Sequence, residues 1–146
     1  LGISQQTIKD EIAKMSAAFP GAPLLVSPMI SYSGPEMILG AMPDETFGAA
    51  VMAGAGGILT ELYRDAAVRL APCGKLTAAE MLDELKIAPV LSGYRGSSLD
   101  KEALAETISR FSRIASIVSS GGGQIDINPL VWDGGSWIVL DAKVIL

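Results

Sequence analysis

Near the carboxyl end, apolar and polar side chains alternate strictly. Ile125 and Ile127 alternate with Asp126 and Asn128. Beyond Trp132-Asp133-Gly134-Gly135-Ser136, the residues Ile138, Leu140 and Ala142 alternate with Asp141 and Lys143. A period of two marks half-buried strands, and the turn residues between them predict a tight hairpin. Two registers are open. With Asp133-Gly134 as the two-residue loop, Asp126 faces Asp141; with Gly134-Gly135, Asn128 does. Both registers put Asp126, Asn128 and Asp141 on one face.

Helical spacing predicts a helix over residues 7–18, where Ile8, Ile12, Met15 and Phe19 recur and Pro20-Gly21 ends the pattern. A second, short helix is expected over 78–85, with Thr77 as its cap and Glu80 at the capping-box position. A long one is expected over 101–118, capped by Asp100, with Leu104, Ile108, Phe111, Ile114 (or Ala115) and Val118 as its buried stripe. Ser119-Ser120-Gly121-Gly122-Gly123 stops it. Apolar runs predict strands at 24–26, 36–41, 49–52, 58–62 and 67–70. A polar turn, Pro43-Asp44-Glu45-Thr46, lies between the second and third, and a loop, Gly54-Ala55-Gly56-Gly57, precedes the fourth. Strands dominate the first half, and helices precede a final antiparallel pair. That order predicts an α+β fold, a mostly antiparallel sheet with helices packed on one face.

With 146 residues, 49% of them hydrophobic but only 5% aromatic, the core must be built from Ala, Leu, Ile, Val and Met. Met29, Met37, Met42 and Met52 read as core filler. The net charge of −5, without a basic cluster, argues against nucleic acid and anionic membrane surfaces as partners. The glycine-broken apolar stretch around Gly54 is far short of a membrane span. A single cysteine, Cys73, excludes an internal disulfide and fits a reducing, cytoplasmic setting. The absence of histidine excludes a Ser-His-Asp triad and a histidine phosphocarrier within the chain. Leu1, with no initiator methionine and no signal-peptide pattern, reads as the start of a piece of a longer protein.

Against this background the hairpin face carries the chemistry. Two carboxylates on neighbouring strands repel each other, so the face calls for a cation. One or two carboxylates and an amide, completed by phosphate and water, suit magnesium. The alternative is a solvated sheet face with ordinary polar alternation.

The landmarks Gly34-Pro35-Glu36-Met37-Ile38-Leu39-Gly40, Phe47-Gly48, Gly54-Ala55-Gly56-Gly57-Ile58, Val68-Arg69-Leu70-Ala71-Pro72, Gly93-Tyr94-Arg95-Gly96, Asp126-Ile127-Asn128-Pro129-Leu130 and Asp141-Ala142 follow one another along the chain. Together they resemble the ATP-grasp domain of ADP-forming acyl-CoA synthetases, relatives of the succinyl-CoA synthetase beta subunit. The resemblance covers essentially the whole chain. It implies residues 1–26 as the tail of the N-terminal lid lobe and 27–146 as the C-terminal lobe that binds magnesium and nucleotide.

By the same resemblance, Asn128 and Asp141 are the magnesium ligands, with Asp126 a third acidic position of less defined role. Glu36 matches a nucleotide-binding glutamate placed to meet the ribose. Ser27 and Met29 fall in the segment whose backbone meets the adenine edge. Read as a residue alone, Glu36 is an outward-facing, solvated strand glutamate. Gly54, Gly56 and Gly57 either cradle phosphate or simply turn the chain. Arg69 and Arg95 either neutralise phosphate or pair with acidic neighbours, and Lys143 either meets phosphate or quiets the carboxylates. The resemblance implies ATP and ADP as ligands and Mg²⁺ as cofactor. Coenzyme A and a carboxylic acid would be handled by other domains of the parent, with room for a homo-oligomer. The lid lysine and the phosphate-relaying histidine of the family are not in this chain, so it is expected to be inactive alone. The alternative is a catalytically silent nucleotide-binding, regulatory module of an acetyltransferase fusion protein.

Overall fold

A computed structural model describes residues 2–57, 64–97 and 99–146. The chain divides into two compact units, Leu1–Ser31 and Tyr32–Leu146. The first holds one helix, α1 (Ile8–Ala18), whose Thr7 N-cap makes no side-chain cap bond and none of whose residues is buried. The rest of the unit has no regular structure, so the strand expected at 24–26 is absent. Leu25 is 93% exposed. Pro23 and Pro28 flank the run without backbone donors.

The second unit begins with the hairpin of β1 (Met37–Asp44) and β2 (Gly48–Ala55). Asp44 Oδ1 closes its turn by accepting the N–H groups of Thr46 at 2.9 Å and Phe47 at 2.8 Å. Both strands run longer than expected: Gly54 and Ala55 belong to β2 rather than to a loop. After β3 (Ala66–Leu70) come α2 (Lys75–Asp83), a single turn α3 (Ala88–Leu91), a 3₁₀ turn at Tyr94–Gly96 and α4 (Lys101–Ser120). The chain closes with β4 (Gln124–Trp132), β5 (Trp137–Val139) and β6 (Ala142–Ile145). The strand expected at 58–62 lies outside the described residues. The expected cap at Thr77 is corrected: α2 starts from Gly74, and Thr77 sits inside the helix.

The strands form one antiparallel sheet in the order β3-β2-β1-β4-β5, with β6 also pairing with β4. Odd-numbered positions on β1–β3 (Met37, Leu39, Val51, Ala53, Ala67) are buried beneath α2 and α4. They meet Met81, Leu82, Leu104, Ile108, Phe111 and Ala115 from the helices. Even-numbered positions point to the other face, where Met42 and Val68 are exposed, so Met42 is not core filler. Nor is Met29, whereas Met37 is fully buried. Asp100 caps α4 as expected, its carboxylate accepting Ala103 N–H at 2.8 Å. Ala115 takes the fourth place in the buried stripe, while Ile114 is 56% exposed. Among the described residues, no helix is long and apolar enough to cross a membrane.

Candidate functional site

The hairpin register decides which polar groups meet. Leu130, Val131 and Trp132 pair with Val139, Ile138 and Trp137, while Asp126 and Ile127 pair with Lys143 and Ala142. Between these rungs Asn128 N–H donates to the Asp141 carbonyl at 3.1 Å, and Leu140 N–H donates to that of Pro129 at 3.0 Å. Asn128 therefore stands opposite Asp141, the register with Gly134-Gly135 at the loop. The other register, with Asp126 facing Asp141, is not adopted. The turn is held by Asp133, whose Oδ1 accepts the N–H groups of Gly135 at 2.9 Å and Ser136 at 2.8 Å. Those bonds hold its carboxyl below the usual aspartate range.

On its other edge β4 pairs with β1 through a register shift: Met37 meets Leu130, but Leu39 meets Ile127. The extra residue falls at Asn128-Pro129, where proline has no N–H for the ladder. Asp126, Asn128, Asp141 and Lys143 are all exposed. Among the described residues the side chains of Asp126, Asn128 and Asp141 have no hydrogen-bond or ion-pair partner, and Lys143 is in no ion pair. No group of three or more His, Cys, Asp or Glu side chains is placed to enclose a metal among the described residues. Instead, two carboxylates and an amide lie on one face of the same strand pair. That donor set fits magnesium, which keeps several waters and shares its shell with phosphate.

Glu36 precedes β1 at the same end of the sheet. Met37 pairs with Leu130 on one side and Ala55 on the other, so Glu36, Gly56 and Asn128 lie on three adjacent strands or their extensions. The Glu36 carbonyl accepts Gly56 N–H at 2.7 Å. A Cβ on Gly56 would stand 3.2 Å from the Glu36 backbone, and one on Gly57 (φ +77°) 3.3 Å from Glu36 Oε2. These glycines let the chain wrap the glutamate closely. Gly54 has another duty: a Cβ there would be 2.7 Å from the Asp65 carbonyl, so it permits close approach of β2 and β3.

Two residues of this region carried no signal in the periodicity. Tyr32 donates its phenolic hydrogen to Glu36 Oε1 at 2.6 Å, which raises the tyrosine's pKa above its ordinary value. Asp65, 8% exposed, accepts Lys86 N–H at 2.7 Å and Ile87 N–H at 3.0 Å, anchoring the approach to α3. Each was recognisable only as a polar residue in a short connection.

Two sequence candidates, Arg69 and Arg95, have contacts of their own. Arg69 shares the helix side of β3 and pairs with Glu84 just beyond α2; that contact, above all, raises its pKa. Arg95 lies in the turn before α4 with φ +55°, its guanidinium 5.5 Å from the Tyr94 ring centroid. Ser27 and Met29 are exposed residues of the first unit.

A family model described as an ATP-grasp domain matches residues 4–146. The chain belongs to the ATP-grasp family. This ATP-grasp chain is 41% identical over 114 residues to the beta subunit of ADP-forming acetate–CoA ligase I of Pyrococcus furiosus, covering 77% of the chain and 49% of that subunit. It is 33% identical to the beta subunit of isoenzyme II, covering 84% of the chain and 53% of the subunit. The chain thus spans about half the length of these curated relatives. Its fold matches the Pyrococcus horikoshii protein PH1788 with a TM-score of 0.74 at 28% identity, over 97% of the chain and 62% of that protein. It also matches a Ca. Korarchaeum cryptofilum dinucleotide-forming acetyl-coenzyme A synthetase 1, solved with coenzyme A and Mg-AMPPCP. There the TM-score is 0.75 at 30% identity, over 98% of the chain and 64% of that structure.

Proposed function

We propose that this chain is the magnesium- and nucleotide-binding part of an ADP-forming acyl-CoA synthetase, with residues 1–26 as the tail of the lid lobe and 27–146 as the metal-bearing lobe. The observation that carries the reading is the Asn128–Asp141 rung: an amide and a carboxylate paired in register, exposed, and free of protein partners among the described residues. Both side chains offer an oxygen to the same magnesium ion, and Asp126, one alternation further along β4, adds charge to its shell. Held by Asn128 and Asp141, magnesium would offset the charge that develops during phosphoryl transfer.

The chain's own residues hold the rest of the nucleotide. Glu36 accepts from ribose hydroxyls. Gly56 and Gly57 keep the sheet end open to the ligand, and Lys143, opposite Asp126, is the cation closest in register for phosphate. Arg69, engaged by Glu84, takes no part; Arg95 reaches phosphate only if its turn closes over the ligand. Ser27 and Met29 remain the proposed contacts to the adenine edge. Within the parent protein, coenzyme A and the carboxylic acid bind elsewhere, in the cytoplasm, and the acyl-CoA product leaves with ADP and phosphate.

Calorimetric titration of the 146-residue chain with ATP tests the reading. Weak binding that requires magnesium is expected. Binding of equal strength with and without the metal, or none at millimolar nucleotide, would sink it.

A further inference from the structure

We propose that Tyr32 is a positioning residue that presets the Glu36 carboxylate for the vicinal hydroxyls of a ribonucleotide. The inference rests on the assignment of Glu36 to the nucleotide site and adds a residue to it. Tyr32-Ser33-Gly34-Pro35-Glu36 forms a closed five-residue loop at the start of the second unit. Gly34, at φ +105°, takes a left-handed conformation that turns the chain back. Pro35 holds the next φ near its fixed value. The phenol thereby returns onto a carboxylate four residues on, at 2.6 Å, within the short range of charge-assisted O–H···O⁻ bonds.

The carboxylate is held at one oxygen and closely neighboured by backbone at the other. Oε1 is fixed by the phenol, and Oε2 lies so close to Gly57 that a Cβ would stand 3.3 Å away. A free glutamate samples many rotamers, and ordering it on binding weakens the complex. In this loop the ordering is done before the ligand arrives. One hydrogen bond from Tyr32 uses one of about four acceptor sites on the carboxylate, so acceptors remain for two neighbouring hydroxyls. The phenolic oxygen, itself an acceptor, adds another beside them. The Tyr32 hydroxyl donates to Glu36, so Tyr32→Phe keeps the ring and removes this bond.

The test is magnesium-dependent binding of ATP and of 2′,3′-dideoxy-ATP to the full chain, measured for the unmutated protein, Tyr32→Phe, Glu36→Gln and the double variant. Tyr32→Phe is expected to weaken ATP binding by about threefold to tenfold, the cost of ordering one freed glutamate side chain on binding. It should leave dideoxy-ATP and the melting temperature unchanged, and on a Glu36→Gln background it should have no further effect. If Tyr32→Phe keeps the unmutated ratio of the two affinities while Glu36→Gln lowers ATP binding, Tyr32 does not position the carboxylate and the nucleotide site stands. Equal losses for both nucleotides would make Tyr32 merely structural and overturn the proposal. If Glu36→Gln leaves ATP binding unchanged, or the unmutated chain binds neither nucleotide, the underlying site assignment fails and the proposal with it.

Discussion

Replacing Asp141 separates binding from folding. Its carboxylate is exposed and has no protein partner among the described residues, while its carbonyl accepts from Asn128 N–H, a bond that alanine keeps. The folding cost should therefore stay within about 0.5 kcal/mol, as for ordinary surface changes. The binding cost is electrostatic. A divalent ion and one carboxylate at about 3 Å between charge centres attract by about 3 kcal/mol even at the dielectric of water. That corresponds to roughly a hundredfold in affinity for the magnesium–nucleotide complex. Asp141→Asn keeps an oxygen but drops the charge, so it should fall between the native chain and Asp141→Ala. The assays are calorimetric titration with Mg-ATP and a thermal melt of each variant without ligand. The reasoning is refuted if Asp141→Ala binds Mg-ATP with native affinity, or if its melt collapses as though a buried partner had been lost.

Three further outcomes test the frame that holds the site. Ile108→Ala, at a position 1% exposed beneath the sheet, should destabilise by about 2–5 kcal/mol in urea unfolding. A loss below 1 kcal/mol would mean that α4 is not clamped to the sheet. Asp100→Ala removes the acceptor for Ala103 N–H and should cost about 1 kcal/mol in the same assay, with Asp100→Asn nearly neutral. Asp133 has a native pKa below its ordinary 3.8, so its stabilisation is present above that value and fades as pH falls through the lowered one. Melts of the native chain and Asp133→Ala should differ at neutral pH and converge in strong acid; a gap that persists there would assign the effect to packing.

The parts of the fold that were legible in the sequence are those with a strong period. Asp100 and the sequence Leu104, Ile108, Phe111 and Ala115 specify α4, because steps of four, three and four keep one face; Ile114 breaks that stepping and lands outside. The closing strands were legible too, since isoleucine and aspartate differ sharply in what they tolerate. β1 and β2 were read too short, because alanine, glycine and methionine fill both faces and blur the alternation. Thr77 looked like a cap because nothing local distinguishes it from one; the backbone of Gly74 starts the helix instead. The partner of Arg69 was out of reach because Glu84 arrives from beyond α2, and only tertiary packing brings them together. Tyr32 stayed silent because its contact depends on a left-handed glycine between two polar residues, which no periodicity reports.

The sheet divides its labour between faces, and this bears on how the site gathers charge. On the face away from α4 lies a cavity of about 340 Å³ bordered by Met42, Met52, Val68, Asp126, Lys143 and Ile145. Apolar walls thin out the screening water, so the charges at its rim act over longer range than they would on an open surface. Asp126 and Lys143 are register partners without being an ion pair among the described residues, so neither is consumed by the other. Lys143 still offsets one of the two carboxylates, leaving the group of Asp126, Asn128, Asp141 and Lys143 with one net negative charge. That is enough to draw in a divalent cation and too little to neutralise it. A bound magnesium would then keep positive charge on its outward side, where a triphosphate presents its oxygens. A third carboxylate on this face would bind the metal more tightly and leave it less able to pull on phosphate. Under the proposed assignment, a neutral amide opposite Asp141, rather than a second acid, would keep the ion available to the nucleotide.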